Sequence, residues 1–435
     1  MTTVVGHHFY RDGTKLNENP RGASYALRGL FPATEYPDLT ATSVSMAGVE
    51  SEHSEPVTGT TLEAPPPHPA MSQADKDAID AVVAASAPTM GRTGVMVSVS
   101  SPEFGDYEKA YGTSDLAGTP MTTDMHFRVA SMTKSFTAAA VMMAADKGLL
   151  SLDDTIDKYM SWVPNGDKIT IRLMLMHRSG LANDQTDTNY GALYYTNPTR
   201  AYSVMSSLLF VRRAAPLAPP DTVYGYTNTA YFIAGMILER VTGRKLKSLI
   251  EDDIMAPLGM TGSTFPEYPT VDMPAPFSHG YAPNLVGANS DWYRLNPNFI
   301  WASGNIVSTI GDLVKWGKEL RDGTLLSPAM HHEWVSTYAP FPYRAGIKPE
   351  DRGPVTNGMG MGILKQGDWI GHDGSWTGYS CACAFHPASG TVITAMENAQ
   401  TYVLTAWAEI FTEIAEHFYP GSAMGEFTGT WPPTP

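Results

Sequence analysis

The sequence predicts an α/β (α+β) chain: one antiparallel sheet flanked by helices, an all-helical subdomain inserted into it, and a small all-β sandwich at the N-terminus. Three observations carry that expectation. Apolar strand-like runs lie at both ends of a long region, Thr93–Ser100 near its start and Trp376–Phe385 with Thr391–Met396 near its end, and helical periodicity fills the interval. A stiff polyproline stretch, Glu63-Ala64-Pro65-Pro66-Pro67-His68-Pro69, separates this region from a leading segment of short strands and turns. At 435 residues the chain exceeds one ordinary core, so two or three domains are expected. The boundaries read as 1–63 for the β unit, 64–71 for the linker, 72–420 for the main domain with its helical part at about 145–300, and 421–435 for a Pro-rich exposed tail.

The elements follow in order. Phe9 to Leu16 reads as a hairpin around Asp12-Gly13, Ser24–Leu27 alternates, and Leu39–Val44 is another strand. His68 is expected to be solvated spacer. Asp75–Ala87 reads as a helix, Thr93–Ser100 as a strand and Lys109–Gly112 as the start of its partner. The apolar run Phe136–Ala145 is a helix that ends at Asp146-Lys147-Gly148. Residues 182–221 are loop-rich and suit walls around a substrate, Tyr231–Val241 is a helix closed by Gly243, and Trp301-Ala302-Ser303-Gly304-Asn305 opens one helix holding structural Asp312 and Trp316. Tyr402–His417 is a covering helix.

Composition excludes several classes. The formal net charge is -15, from 29 basic and 44 acidic residues, with no Lys/Arg cluster, which argues against nucleic acid and anionic membrane as partners. Cys381 and Cys383, one residue apart in an apolar strand, are expected to be buried thiols, and His177 a packing residue. His331-His332-Glu333 lacks metal-ligand spacing and reads as helix surface, so neither metal nor cofactor is expected. The N-terminus lacks the basic and apolar regions of a signal peptide, and no 18-residue apolar run exists.

The chemistry concentrates in three short segments. Ser131 and Lys134, three residues apart at the start of a helix, share one face, so a hydroxyl lies beside an amine. That amine is a base only if desolvation or a nearby cation lowers its pKa. About one or two chance S-x-x-K matches are expected in such a length, so the pattern alone is weak. Tyr-x-Asn occurs twice, as Tyr195-Thr196-Asn197 in a polar loop and as Tyr226-Thr227-Asn228 running into an amphipathic helix; the second context fits a phenol that shares a proton with an ammonium and an amide that holds a carbonyl. Finally His372-Asp373-Gly374-Ser375 precedes an apolar strand, where the glycine would admit a substrate backbone and the Ser375 N–H would join that of Ser131 in stabilising an oxyanion.

In that order, Ser131-x-x-Lys134, Tyr226-x-Asn228 and His372-x-Gly374 resemble the serine β-lactamase and penicillin-binding superfamily, in the branch of class C β-lactamases, D-Ala-D-Ala carboxypeptidases, D-aminopeptidases and related esterases. The likeness runs over about residues 72 to 420 and includes Leu175 to Leu181 and Ala256-Pro257-Leu258-Gly259-Met260. It implies a β-lactamase/transpeptidase-like fold, Ser131 as the acylated nucleophile, Lys134 and Tyr226 sharing base and acid duty, Asn228, His372, Gly374 and Ser375 at the substrate, with His372 where many members of that superfamily carry lysine, and no metal. Asp373 departs from the hydroxyl residue usual there and would repel a substrate carboxylate.

A second resemblance concerns the leading segment. Gly29-Leu30-Phe31-Pro32-Ala33-Thr34-Glu35-Tyr36, then Ala47 to Ser51 and Thr60-Thr61, resembles the second half of a fibronectin type III domain with Tyr36 as its corner tyrosine. The first two strands of that domain are lacking, which implies an edge covered by this chain, a partner's strand or a longer precursor. A fibronectin type III module before such a hydrolase resembles phage minor tail proteins. The resulting expectation is a D-Ala-D-Ala carboxypeptidase-like enzyme acting on peptidoglycan peptide, carried on a virion tail and contacting other tail proteins through residues 1–63. The alternatives are a cytoplasmic esterase acting on a small ester and a non-catalytic tail protein that binds the cell wall.

Overall fold

The computed structural model describes residues 4–11, 13–15, 35–45, 49–60, 67–90, 94–184, 188–282, 291–340, 357–400 and 406–422. The chain divides into two compact units, Met1–Pro67 and His68–Pro435. In the first, β1 (Val4–Arg11), β2 (Thr14–Lys15), β3 (Glu35–Ser45) and β4 (Val57–Thr60) form one antiparallel sheet in the order β2-β1-β3-β4. Tyr10 pairs with Lys15 and Arg11 with Thr14, the register of the expected hairpin. Glu50 ties the strands together by accepting from Lys15 Nζ and Tyr10 Oη at 2.6 Å each. The Ser24–Leu27 strand and residues 29–34, on which much of the fibronectin-like pattern falls, lie outside the described residues, as do 61–66 and 423–435.

The second unit is built on an eight-stranded antiparallel sheet. After α1 (Gln73–Met90) come β5 (Gly94–Ser101) and β6 (Gly105–Gly112). The short β7 (Phe127–Arg128) leads to α2 (Thr133–Asp146). Helices α3 (Ile171–Leu175), α4 (Thr188–Thr196), α5 (Val204–Arg213), α6 (Asn228–Thr242) and α7 (Leu246–Ile250) follow. Then come α8 (Trp301–Gly304), β8 (Val307–Ser308), α9 (Ile310–Asp322) and α10 (Pro328–Ser336). The remaining sheet strands are β9 (Ala339–Pro340), β10 (Asn357–Met359), β11 (Leu364–Gln366), β12 (Trp369–Trp376), β13 (Tyr379–Phe385) and β14 (Val392–Glu397), closed by α11 (Ala406–Phe418). The strand order is β6-β5-β14-β13-β12-β11-β10-β9, so the first and last segments of the unit meet where β5 pairs with β14.

Both faces of the sheet are covered, which is why its central strands read as unbroken apolar runs. Val95, Val97, Val99, Ala382, Ala384, Ile393 and Ala395 pack against Ile79 and Val83 of α1 and Ile410, Phe411 and Ile414 of α11. The alternate residues Met96, Cys381, Cys383 and Met396 face Phe136 of α2 and Trp316 of α9. Full burial of one such aliphatic side chain contributes about 1.5–3 kcal/mol. Trp316 stacks on Phe136 at 3.9 Å and donates to Ser135 Oγ, fixing α9 across α2.

Four expectations need correction. The single helix expected from Trp301 through Trp316 is broken: β8 pairs with β7, and Thr309 caps a fresh helix by accepting from Asp312 N. The strand expected over Trp376–Phe385 begins only at Tyr379, because Trp376 ends β12 and the chain turns at Thr377-Gly378, with Gly378 at φ +94. The His372-Asp373-Gly374-Ser375 segment therefore lies inside β12, its polar residues masking the strand. His68 is no free spacer, because its Nδ1 lies 2.8 Å from Asp106 Oδ1 on β6. The stretch 182–221 holds α4 and α5, whose Tyr190 and Tyr194 pack with Trp292 and Phe299.

Candidate active site

Ser131 sits in a tight 3₁₀ turn (Ala130–Met132) that feeds α2, after a strained Ala130 at φ +48. Such backbone costs of order 1–3 kcal/mol and persists only where the surroundings enforce it. Here Val129 N donates to Ile306 O at 3.0 Å on one side and Met132 leads straight into the buried helix on the other. Ser131 remains half-buried, reachable from solvent.

Lys134, one turn on, is completely buried. Its Nζ lies 3.0 Å from Ser131 Oγ and donates to Ser303 O at 2.8 Å. The rings of Tyr226 and Tyr231 flank it at 4.8 and 5.6 Å. Burial pushes this amine well below its usual 10.5, although the carboxylates of Asp373 and Asp184 act the other way. The condition under which lysine can accept a proton from serine is thus met by desolvation.

Tyr226 Oη lies 2.8 Å from Ser131 Oγ, so phenol and amine converge on one hydroxyl. Burial drives the Tyr226 pKa well above its usual value, keeping its proton on. Thr227 is extended and Asn228 begins α6, its N–H donating to Asn183 Oδ1 at 3.2 Å. The other Tyr-x-Asn lies at the end of α4, with Tyr195 46% exposed.

The third segment reaches the same place through β12. Only residues Trp369 to Gly371 of that strand pair with β11, whereas Ile370 to Trp376 pair with β13, Gly374 opposite Cys381 and Ser375 opposite Ser380. A Cβ on Gly374 would sit 2.1 Å from Val129 O. The turn that carries Ser131 therefore demands the glycine by itself, apart from any use it has in admitting a substrate backbone. His372 is buried, with Nδ1 2.5 Å from the Asp373 carbonyl oxygen; burial lowers its pKa, so it does not supply the cation that a lysine would. Asp373 is half-buried and Ser375 exposed, its Oγ 3.4 Å from Ser380 Oγ.

Three contributors escaped the sequence reading. The Ser303 carbonyl binds Lys134, but a backbone acceptor leaves no residue-type signal. Tyr231 walls the amine from position i+3 of the helix that Asn228 starts, a spacing that was available. His177, expected only to pack, stacks on Tyr226 at 4.2 Å and accepts from Thr227 N at 3.1 Å. A separate cavity of about 690 Å³ lies among Asp184, Tyr190, Tyr202, Phe210, Tyr268 and Asn298 of the helical part. Among the described residues no group of three or more His, Cys, Asp or Glu side chains could hold a metal ion, and no helix is long and apolar enough to cross a membrane.

A hydroxyl held between a desolvated amine and a phenol, at the mouth of a helix beside a sheet edge, defines a serine hydrolase. The Beta-lactamase family profile matches residues 79–408, and the chain belongs to that family. Unguisins hydrolase ungD' of Aspergillus campestris (strain IBT 28561) is 26% identical over 315 residues, 67% of this chain and 56% of that protein. Penicillin-binding protein 4* of Bacillus subtilis (strain 168) is 23% identical over 305 residues, 65% of this chain and 63% of that protein. The chain thus spans little more than half the length of these curated relatives. Among solved structures, the D-amino acid amidase from Ochrobactrum anthropi SV3 complexed with L-phenylalanine amide superposes with a TM-score of 0.68 at 25% identity, covering 80% of this chain and 99% of that one.

Proposed function

We propose that the chain hydrolyses an amide or ester of a D-residue through an acyl-enzyme on Ser131, with cell-wall peptide of the D-Ala-D-Ala type whose carboxyl next to the scissile bond is amidated or part of a further peptide bond as the natural substrate class. The observation that carries this reading is the convergence of Lys134 Nζ and Tyr226 Oη on Ser131 Oγ, at 3.0 and 2.8 Å. The opposed shifts of the two groups divide their labour. Lys134, whose ammonium form burial disfavours, takes the proton of Ser131 as Oγ attacks the carbonyl carbon. Tyr226, which keeps its proton, passes it to the departing nitrogen or oxygen and is refilled from Lys134. The N–H groups of Ser131 and Ser375 receive the developing oxyanion, Asn228 orients the acyl group, and His372 and Gly374 hold the strand beside the turn. Water, giving a proton to Lys134, then attacks the ester carbon; the C–Oγ bond breaks, the acyl product leaves as an acid, and Oγ takes that proton from Lys134.

Asp373 narrows the substrate, since its charge reaches the site and opposes a free carboxylate next to the scissile bond. This favours an amidated or internal peptide, or a neutral ester, over β-lactams. The amidase and penicillin-binding relatives support the D-residue class. Carriage on a phage tail, with residues 1–63 contacting other tail proteins, is the biological setting we propose, because it brings such an enzyme to the wall from outside.

A panel of acyl-D-Ala-D-Ala, its amide, nitrocefin and p-nitrophenyl butyrate tests the reading, with mass spectrometry of the protein after a fluorophosphonate. Expected are an adduct on Ser131, turnover of the amide and ester, and loss of both in Ser131→Ala at unchanged melting temperature. Undiminished turnover by Ser131→Ala would remove the proposal.

A further inference from the structure

The Tyr226 phenol sits on an irregular segment ahead of α6, where no regular hydrogen-bonded element holds it, so something must aim it. Two backbone hydrogen bonds and a ring face that flank it come from one residue. The main-chain carbonyl of His177 accepts from Gly225 N at 2.8 Å, and its ring Nδ1 accepts from Thr227 N at 3.1 Å, so Tyr226 is clamped on both flanks. The imidazole lies against the phenol with centroids 4.2 Å apart and planes 29° from parallel, on top of the Tyr231 ring at 5.3 Å. His177 is fully buried and takes the left-handed conformation, φ +55, which few residues adopt without a reason. Met174 O anchors its N–H from the end of α3 at 3.2 Å.

We propose that His177 is the positioning residue for Tyr226, a neutral ring whose Nδ1 and carbonyl fix the Gly225–Thr227 backbone while its face sets the phenol, so that Oη meets Ser131 Oγ. The inference rests on the acyl-enzyme reading above. Because Nδ1 accepts, Nε2 must carry the ring proton, and that atom is buried with no hydrogen-bond partner among the described residues. A second ring proton would set N–H against the Thr227 N–H. The titratable groups around the ring are Lys134 from α2, His372 from β12, Tyr224 and Tyr226 from the loop and Tyr231 from α6; none of these is a carboxylate that would stabilise an imidazolium. Packing alone would accept any flat ring here. Clamping needs an acceptor at the Nδ1 position.

Two variants of the whole chain separate these roles. His177→Phe keeps a ring and removes the acceptor, and His177→Asn keeps an acceptor close to the Nδ1 position and removes the ring. Ester turnover is measured per active site, counted by fluorophosphonate labelling of Ser131, over a range of pH, with the melting temperature recorded. We expect His177→Phe to lose about tenfold or more of kcat at little-changed KM, part of the contribution of a positioned acid–base group, and to shift the pH profile of kcat. His177→Asn should recover much of that kcat while melting lower than His177→Phe. If His177→Phe folds and matches wild type in kcat per labelled site and in pH profile, the inference is wrong. If His177→Phe does not fold, His177→Leu, which removes ring and acceptor together, decides: a lower kcat per labelled site with an altered pH profile supports positioning, and a wild-type profile at full kcat per site with only a lower melting temperature overturns it by showing a structural role. Failure of the parent reading looks different, because then Ser131 would take no adduct in the wild type or Tyr226→Phe would turn over normally.

Discussion

Substituting Gly374 by alanine is the sharpest test of how β12 supports the nucleophile. The new methyl carbon would lie 2.1 Å from Val129 O and 3.1 Å from Cys381 Sγ, where ordinary contact begins near 3.4 Å. Strand and turn must therefore separate by about 1.3 Å, the difference between 3.4 and 2.1 Å. The strand cannot yield easily, because β12 is hydrogen-bonded along its length to β13 in the buried sheet. The turn yields instead, and Ser131 lies two residues beyond Val129. A displacement of about 1 Å costs on the order of 10²-fold in a reaction that depends on near-attack geometry. Overpacking of this kind costs typically ~1–3 kcal/mol of stability. We expect kcat for p-nitrophenyl butyrate to fall on the order of a hundredfold with a lower melting temperature. If the glycine served only to admit a substrate backbone, KM alone would rise and the melting temperature would hold. That second pattern would refute the steric argument.

Other expectations follow from the buried groups. Tyr226→Phe should cost about 10²–10⁴-fold in kcat, whereas Tyr195→Phe, on the exposed end of α4, should leave kinetics unchanged; equal effects would mean that the wrong Tyr-x-Asn was chosen. Lys134→Met should abolish turnover, and its stability relative to wild type should depend on pH. Between the lowered pKa of folded Lys134 and the usual 10.5 the unfolded chain binds more protons, so wild-type stability rises with pH through that window and the methionine variant lacks this rise. Calorimetry should find the variant's advantage greatest at the low end of the window and shrinking towards 10.5; a pH-independent difference would contradict a desolvated amine. Asp373→Asn should raise kcat/KM for acyl-D-Ala-D-Ala about fivefold or more, from roughly 1 kcal/mol of removed repulsion, with little gain on the ester. Equal gains on both would detach Asp373 from carboxylate discrimination.

The parts of this site that could be read from the sequence are those set by local spacing. Ser131 and Lys134 lie one helical turn apart whatever surrounds them, and Tyr226 was separable from Tyr195 because a helix follows it directly. The central strands were visible as apolar runs because both their faces are buried. What stayed hidden depends on remote segments meeting. Val129 O crossing β12 is what makes Gly374 necessary, and no residue type announces a passing carbonyl. The same holds for Ser303 O on Lys134. His177 is hidden for another reason: a buried histidine is most often a satisfied packing residue, and only the bond its Nδ1 accepts from Thr227 N points beyond packing to the positioning proposed above.

Burial also explains how the site can rest uncharged. The same desolvation lowers Lys134, His177 and His372 and raises Tyr226, so each of the four is pushed towards its neutral form. The Asp373 carboxylate is a principal charge acting on Lys134 and Tyr226, and it favours the cationic form of the amine that burial disfavours. In the proposed cycle that cation forms when Ser131 gives up its proton: Lys134 becomes an ammonium while the carbonyl oxygen becomes an anion. The two charges appear together, between walls that exclude water, where their attraction is weakly screened. A permanent lysine at position 372 would place positive charge there before the reaction, binding anionic substrates at the outset; a neutral histidine withholds that ground-state attraction. The replacement at His372 and the carboxylate at Asp373 therefore point the same way, towards a substrate that brings no negative charge of its own to this edge of the sheet.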